Sequence, residues 1–287
     1  MCTLSTWISD WIKLRTNVLK PLTVESYCDL LNRYIAPSIG DMPIDAIEPN
    51  RITHLLAQIC AEGHSRTAEL IHVLLTASLR GLEGAPMQRV PRPKHRQKSP
   101  TPWSDAQIAA YLRALDGHRH QIPLSLALML GLRRGEICGL RWQDIDFSTG
   151  CLHVCNQRVR LASGQIIDQS PKSFSSDRIL PVPNALLRLL RAHRQLCGYV
   201  CDISPSALDK AHRKLVERLE LPPIPLHGLR HSMATACIRH GGQIRSLQSV
   251  LGHSNYAVTA NIYTTPDTEM LRSAIDSACV PCYNVLR

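Results

Sequence analysis

The sequence lacks the features that mark membrane-bound and secreted proteins. Its longest apolar run, Ile122 to Leu132, is much shorter than the roughly 20 residues that a membrane-spanning helix needs. No secretory signal opens the chain, because the segment from Met1 to Lys13 is polar and carries two tryptophans at helical spacing. These absences predict a soluble, cytoplasmic protein with no membrane partner.

Cysteine is plentiful, but its arrangement is poor for disulfides or zinc. The 11 cysteines are odd in number and scattered, and only Cys279 and Cys282 have the two-residue gap that is usual in a zinc-binding pair. Reduced thiols are therefore the better interpretation, and a metalloenzyme built on the cysteines is kept as an alternative. The clustered Asp and Glu residues that hold Mg²⁺ are also missing from the sequence. The sequence predicts no metal and no cofactor.

What the chain has in excess is positive charge. Lys and Arg outnumber Asp and Glu by 33 to 23, which gives a formal net charge of +10 and a pI near 9.2. Such a surplus favours a polyanionic partner, because each neutralised phosphate releases condensed counterions. Basic surfaces also serve membranes and ribosomes, so the charge favours nucleic acid without identifying it.

Hydrophobic spacing predicts a mostly α fold with a small antiparallel β-sheet. Residues 5–82 show helical spacing and predict three or four helices in a bundle. The predicted domains are an N-terminal helical bundle (1–85), a basic, proline-rich linker (86–102) and a C-terminal mixed α+β domain (103–287). Proline stiffens the linker, which is interpreted either as a solvated tether or as a strap along a phosphate backbone.

The second domain shows several local signals. In chain order they are a capping box at Ser104–Gln107, a buried helix over Ile122–Leu132, a short helix around Glu136–Leu140, about three strands within Cys151–Val182, and helices from Asn184 onward with stops at Gly241-Gly242 and Gly252.

Four separated segments carry residues suited to chemistry. They are Leu130-Gly-Leu-Arg133-Arg134-Gly-Glu136, Pro171-Lys172-Ser-Phe-Ser-Ser-Asp-Arg178, His227-Gly-Leu-Arg230-His231, and Leu251-Gly252-His253 with Tyr263 ten residues after His253. Each alone has an ordinary explanation: an ion pair with Glu136, a solvated lysine, a structural His–Arg pair, and a core tyrosine. Their significance lies in their occurring together and in this order.

Together these side chains meet the demands of displacement at a phosphodiester. Arg133 and Arg230 can bind the non-bridging oxygens and stay charged throughout. Tyr263 is the candidate nucleophile, and because a phenol titrates near 10 it needs a base. His227 is placed to be that base, and Lys172 could protonate the leaving 5′ oxygen.

These segments resemble, in chain order, the tyrosine site-specific recombinases (the phage integrase family). The resemblance covers residues 101–270, and residues 5–85 resemble the family's helical core-DNA-binding domain, which makes 103–287 the catalytic domain. It implies catalytic roles for six residues: Arg133, Lys172, His227, Arg230, His253 and Tyr263.

The resemblance also implies an activity and partners. The two domains would clamp double-stranded DNA, and Tyr263 would form a 3′-phosphotyrosine that a second 5′ hydroxyl reverses without ATP. A homotetramer would act on paired DNA sites, with accessory DNA-bending or directionality proteins, for integration or excision of a mobile element. Two alternatives use the same residues, a Xer-like resolvase and a type IB topoisomerase. A third is a catalytically inert DNA-binding regulator of the same fold.

Overall fold

The computed structural model describes residues 2–82, 84, 86–95, 101–170 and 176–252. The chain divides into two compact units, Met1–Ser99 and Pro100–Arg287. The fold is mostly helical with small antiparallel sheets, which confirms the predicted fold class. Among the described residues, none of the helices has the length and apolar character needed to cross a bilayer.

The first unit is an all-helical bundle, as its hydrophobic spacing predicts. Its helices are α1 (Leu4–Lys13), α2 (Pro21–Leu30), α3 (Ala36–Ile39), α4 (Pro49–Ala61) and α5 (Ser65–Ser78). Proline opens α2 and α4, where its missing N–H costs nothing. A π-helical turn, Leu31–Ile35, joins α2 to α3. Ile8, Ile52 and Ile71 bring α1, α4 and α5 into one core, and Trp7 Nε1 donates to the Ser78 carbonyl over 2.9 Å.

Residues 86–95 of the predicted linker pack against α5. Val90 is buried in the core of the first unit, and its carbonyl lies 3.3 Å from His72 Nε2. Arg92 pairs with Glu69 over 2.8 Å. This stretch therefore follows the surface of the bundle instead of running free, while 96–100 lie outside the described residues.

The second unit surrounds the buried helix that the sequence predicts. Its helices are α6 (Asp105–Ala114), α7 (Gln121–Met129), α8 (Arg134–Gly139), α9 (Asn184–Ala192), α10 (Pro205–Arg218), α11 (Leu226–Arg239) and α12 (Ile244–Leu251). The capping box at Ser104 and Gln107 is confirmed. Gly241 and Gly252, which follow α11 and α12, have φ values of 81° and 63°, and this confirms both predicted stops.

A polar network joins three helices inside this unit. The Tyr111 hydroxyl lies 2.8 Å from His212 Nδ1, and His212 Nε2 lies 2.9 Å from the Ile224 carbonyl. The backbone N–H of Trp103 donates to Ser232 Oγ over 3.0 Å. Buried polar groups need such partners, so the network fixes α6, α10 and the start of α11 relative to one another.

The strands form two small antiparallel sheets. They are β1 (Ile145–Asp146), β2 (Cys151–Val154), β3 (Gln157–Arg160), β4 (Ile166–Gln169) and β5 (Arg178–Pro181). One sheet has the order β1-β2-β5, and β3 pairs with β4 in the other. The predicted segment Cys151–Val182 holds four strands, β2 to β5, where about three were predicted, and β1 lies before it. The predicted turn Ala162-Ser-Gly164 lies between β3 and β4.

Backbone contact fixes β3 against α8. A Cβ added at Gly139 would lie 2.9 Å from both the Arg158 nitrogen and the Gln157 Cα. At Gly135 it would lie 3.1 Å from the Arg158 carbonyl oxygen. Glycine at these two positions therefore lets the strand approach the helix that begins directly after Arg133.

Candidate active site

Arg133 is the residue at which the chain enters α8. Its Nη1 lies 2.7 Å from Glu136 Oε1, and its backbone N–H donates to Glu136 Oε2 over 2.8 Å. Its Nη2 donates to the Gly252 carbonyl over 3.1 Å. The side chain remains 33% exposed, so Arg133 is held by its partners and still faces solvent.

Arg230 reaches the same region from α11. It is 1% exposed, and its Nη1 donates to the Gly131 carbonyl over 2.7 Å, while its Nη2 donates to the Leu251 carbonyl. Gly131 has a φ of +61°, and a Cβ there would lie 2.5 Å from Met233 Cε. The tight glycine turn thus places Arg230 beside the loop that leads into Arg133.

His227 lies in the first turn of α11, one turn before Arg230. Its pKa is lowered, because neighbouring atoms displace water from the imidazole and because Arg230 and Arg133 add positive charge. The residue as a whole keeps an exposed surface. An imidazole with a lowered pKa is neutral near pH 7 and can accept a proton.

Glu136 is a buried carboxylate that joins two arginines. It is 3% exposed, and its Oε2 lies 3.0 Å from Arg178 Nη2, while its Oε1 lies 3.2 Å from Arg178 Nη1. Burial by itself would raise the pKa of Glu136, but the hydrogen bonds and positive charge of Arg178 and Arg133 outweigh it and lower the pKa. Glu136 is therefore ionised and holds both guanidinium groups.

Arg178 ends the segment that begins at Pro171, but no role was predicted for it. In the structure residues 178 and 180 are buried and alternate with exposed neighbours, so the side chain of Arg178 faces inward. The sequence gives little sign of this, because the neighbour Ile179 is apolar and yet exposed. A charged side chain at an inward position needs a buried partner. The sequence did not indicate that this partner is Glu136.

The structure brings together three of the six predicted catalytic residues. Arg133, Arg230 and His227 meet where the loop after α7, the start of α11 and the end of α12 converge. The other three, Lys172, His253 and Tyr263, lie outside the described residues.

Among the described residues there is no group of three or more His, Cys, Asp or Glu side chains that could hold a metal ion. The nine described cysteines are free thiols. Cys279 and Cys282, which carry the zinc alternative, lie outside the described residues.

Comparison with known families decides the classification. The model of the phage integrase family matches residues 105–270, more than half of the chain. The chain belongs to this family. The model of the phage integrase central domain also matches residues 4–78, which fall within the helical bundle. The resemblance inferred from the four sequence segments is therefore confirmed.

Named relatives of this family member are tyrosine recombinases. It is 31% identical to a "Tyrosine recombinase XerC-like" protein of Caldanaerobacter subterraneus subsp. tengcongensis over 206 residues, which cover 61% of the chain and 53% of the relative. It therefore spans about half the length of that relative. It is 26% identical over 272 residues to tyrosine recombinase XerA of Pyrococcus horikoshii, with 89% of the chain and 87% of the relative covered.

Solved structures share the fold. The Tn1549 transposon integrase, solved in complex with transposon right end DNA, superposes with a TM-score of 0.79 at 20% identity, covering 96% of this chain and 99% of that one. A lambda integrase dimer bound to a core site gives a TM-score of 0.71 at 18% identity, covering 93% and 97%. At these identities the likeness establishes the architecture of this family member and nothing finer.

Proposed function

We propose that this chain is a site-specific DNA recombinase that cleaves and rejoins DNA through a covalent 3′-phosphotyrosine bond. The observation that carries the proposal is the meeting of Arg133 and Arg230 beside His227, an imidazole with a lowered pKa. Two fixed guanidinium groups and a proton acceptor suit the transfer of a phosphoryl group to a phenol. The biological role we propose is integration or excision of a mobile element.

In the proposed reaction, Tyr263 Oη attacks the scissile phosphorus as the bond to the 5′ oxygen breaks. His227 takes the phenol proton, and Lys172 gives a proton to the leaving 5′ oxygen. Arg133 and Arg230, with His253, stabilise the charge that grows on the non-bridging oxygens. Removing one such preorganised donor typically slows a reaction by on the order of 100–1,000-fold. No energy source is required, because the phosphotyrosine bond conserves the phosphodiester energy.

Double-stranded DNA is the proposed partner of both domains. Residues 1–85 would be the core-DNA-binding domain, residues 86–102 the linker and residues 103–287 the catalytic domain. The exposed face of α10 supports DNA binding, since it carries Lys210, Arg213, Lys214 and Arg218 and cations of this kind neutralise phosphates. A homotetramer on paired sites is proposed from the lambda integrase tetramer solved on a Holliday junction, and accessory DNA-bending or directionality proteins would assist it.

The decisive test uses nicked DNA duplexes from the ends of the element that encodes the protein. Loss of the short strand beyond the nick should trap a covalent protein–DNA complex that survives SDS. We expect this complex with the wild type and none with Tyr263→Phe, because phenylalanine keeps the ring and lacks the nucleophilic oxygen. Tight DNA binding without a covalent complex in the wild type would contradict the proposal and favour an inert regulator.

The relatives named XerC-like and XerA favour a second candidate function, that of a Xer-like resolvase. Plasmids with one recombination site or two distinguish recombination, by either of these candidates, from relaxation by a topoisomerase. Recombination that requires two sites indicates a recombinase or resolvase, whereas relaxation of a supercoiled plasmid that has a single site indicates activity of the type IB topoisomerase kind.

A further inference from the structure

Arg178 is a buried arginine that the proposed reaction does not use. It lies at the start of β5 with its side chain 7% exposed. Besides its two contacts with Glu136, its Nη1 donates to the Ser176 carbonyl over 3.0 Å, and its Nε donates to the Val250 carbonyl over 2.7 Å. All three guanidinium nitrogens of Arg178 therefore have protein partners, and the proposed reaction gives this residue no contact with the phosphate.

Three arginines converge on the end of α12. Each donates to one of three successive carbonyls: Arg178 to Val250 over 2.7 Å, Arg230 to Leu251, and Arg133 to Gly252 over 3.1 Å. Carbonyls at a helix C-terminus lack partners within the helix and carry the negative end of its dipole, so cations stabilise them. These contacts fix the point from which the chain continues to His253 and Tyr263.

The duties of the three arginines differ. In the proposed reaction Arg133 and Arg230 also bind the phosphate, so each of these guanidinium groups serves both a main-chain carbonyl and the substrate. Arg178 has no such second duty. Its two-point contact with Glu136 and the hydrogen bond from its Nε to the Val250 carbonyl connect the start of α8 directly to the end of α12.

We infer that Arg178 is a positioning residue for strand cleavage. It fixes Glu136, and through Glu136 the guanidinium of Arg133, against the end of α12 that leads to the nucleophile. The inference rests on the proposed function, since it requires Arg133 and Tyr263 to act on one phosphate. Lysine cannot replace this arginine, because one ammonium cannot make a planar two-point contact and a third bond in a different direction.

The test compares Arg178→Lys with the wild type as full chains on the nicked duplexes. Three quantities are measured: the urea midpoint, the Kd for DNA, and the rate of covalent complex formation at saturating DNA. We expect the rate to fall by about 100-fold, since a 1 Å displacement of reacting groups can cost that much. We expect the Kd to remain within about threefold, because the proposed reaction gives Arg178 no phosphate contact and salt-dependent affinity follows phosphate contacts.

Arg191→Lys is the matched control. Arg191 lies in α9 of the same unit and also donates to a main-chain carbonyl over 2.7 Å, but its acceptor is Phe147, directly after β1, and not the end of α12. We expect its cleavage rate to equal that of the wild type. If Arg178→Lys does not fold, Glu136→Gln takes its place, since the amide keeps the shape of the carboxylate and removes the charge that holds both arginines. The same loss of rate at unchanged Kd is expected.

The outcomes separate the inference from the function on which it rests. A folded Arg178→Lys variant that cleaves at the wild-type rate would overturn the inference and leave the proposed function standing. A defect confined to Kd would also overturn it, because positioning acts after DNA is bound. Failure of the wild type itself to form the covalent complex would contradict the proposed function and this inference with it.

Discussion

At the scale of single residues, Arg230 combines a structural and a proposed catalytic duty. Its Nη1 and Nη2 donate to the Gly131 and Leu251 carbonyls, and the side chain is buried. We predict that Arg230→Lys lowers the free energy of unfolding by about 1–3 kcal/mol, because a buried carbonyl loses its partner. The same change should slow covalent complex formation by on the order of 100-fold, because a point charge replaces a fork-shaped donor.

Urea unfolding and the assay on nicked DNA measure the two effects separately. The folded fraction of Arg230→Lys is determined first, and the rate is expressed per folded molecule. A variant that loses stability but cleaves at the wild-type rate per folded molecule would show that Arg230 serves the fold alone.

At the scale of elements, the contact between α8 and β3 depends on Gly139. We predict that Gly139→Ala lowers the free energy of unfolding by about 1–3 kcal/mol, because the added carbon meets backbone atoms at 2.9 Å that cannot rotate away. Gly135→Ala is the graded control. Its nearest contact is 3.1 Å, and alanine favours a helix over glycine by about 1 kcal/mol.

Chemical denaturation of both variants measures the difference. Gly135→Ala should unfold at a urea concentration close to that of the wild type, and Gly139→Ala at a clearly lower one. Equal midpoints for the two variants would mean that β3 can move away from α8 at little cost.

Local signals account for the elements that the sequence predicts correctly. The capping box at Ser104 and the glycine stop at Gly252 act within one helical turn, so their chemistry is visible in neighbouring residues. The link between Arg178 and Glu136 joins residues 42 positions apart, and no local pattern encodes it. The predicted turn at Ala162-Ser-Gly164 lies between β3 and β4, but about three strands were predicted where the segment holds four, because strands of four residues are too short to be told apart by alternation. For Arg133, Arg230 and His227, family motifs gave the residues and only the structure gave their contacts.

At the scale of the whole molecule, stability should fall in mild acid. His212 is 1% exposed, and burial lowers its pKa, whereas an unfolded histidine titrates near 6.5. Between those two values the unfolded chain binds more protons than the folded one, so the free energy of unfolding decreases as pH falls. His227 has a lowered pKa as well and acts in the same direction.

Urea midpoints at pH 7.5 and pH 5.5 check this prediction. The wild type should unfold more easily at pH 5.5, and His212→Gln should show a smaller difference between the two conditions, because its amide does not titrate. An identical pH dependence in the variant would indicate that other groups cause the acid sensitivity.

The contacts that Arg133 and Arg230 make with main-chain carbonyls affect the entropy of DNA binding. A mobile arginine loses up to about 2 kcal/mol of rotamer entropy when a ligand immobilises it. Arg133 and Arg230 are already immobilised by main-chain carbonyls before any anion arrives. Most of the entropic cost of ordering these guanidinium groups is therefore incurred once, when the chain folds, and is not repeated at each meeting with DNA.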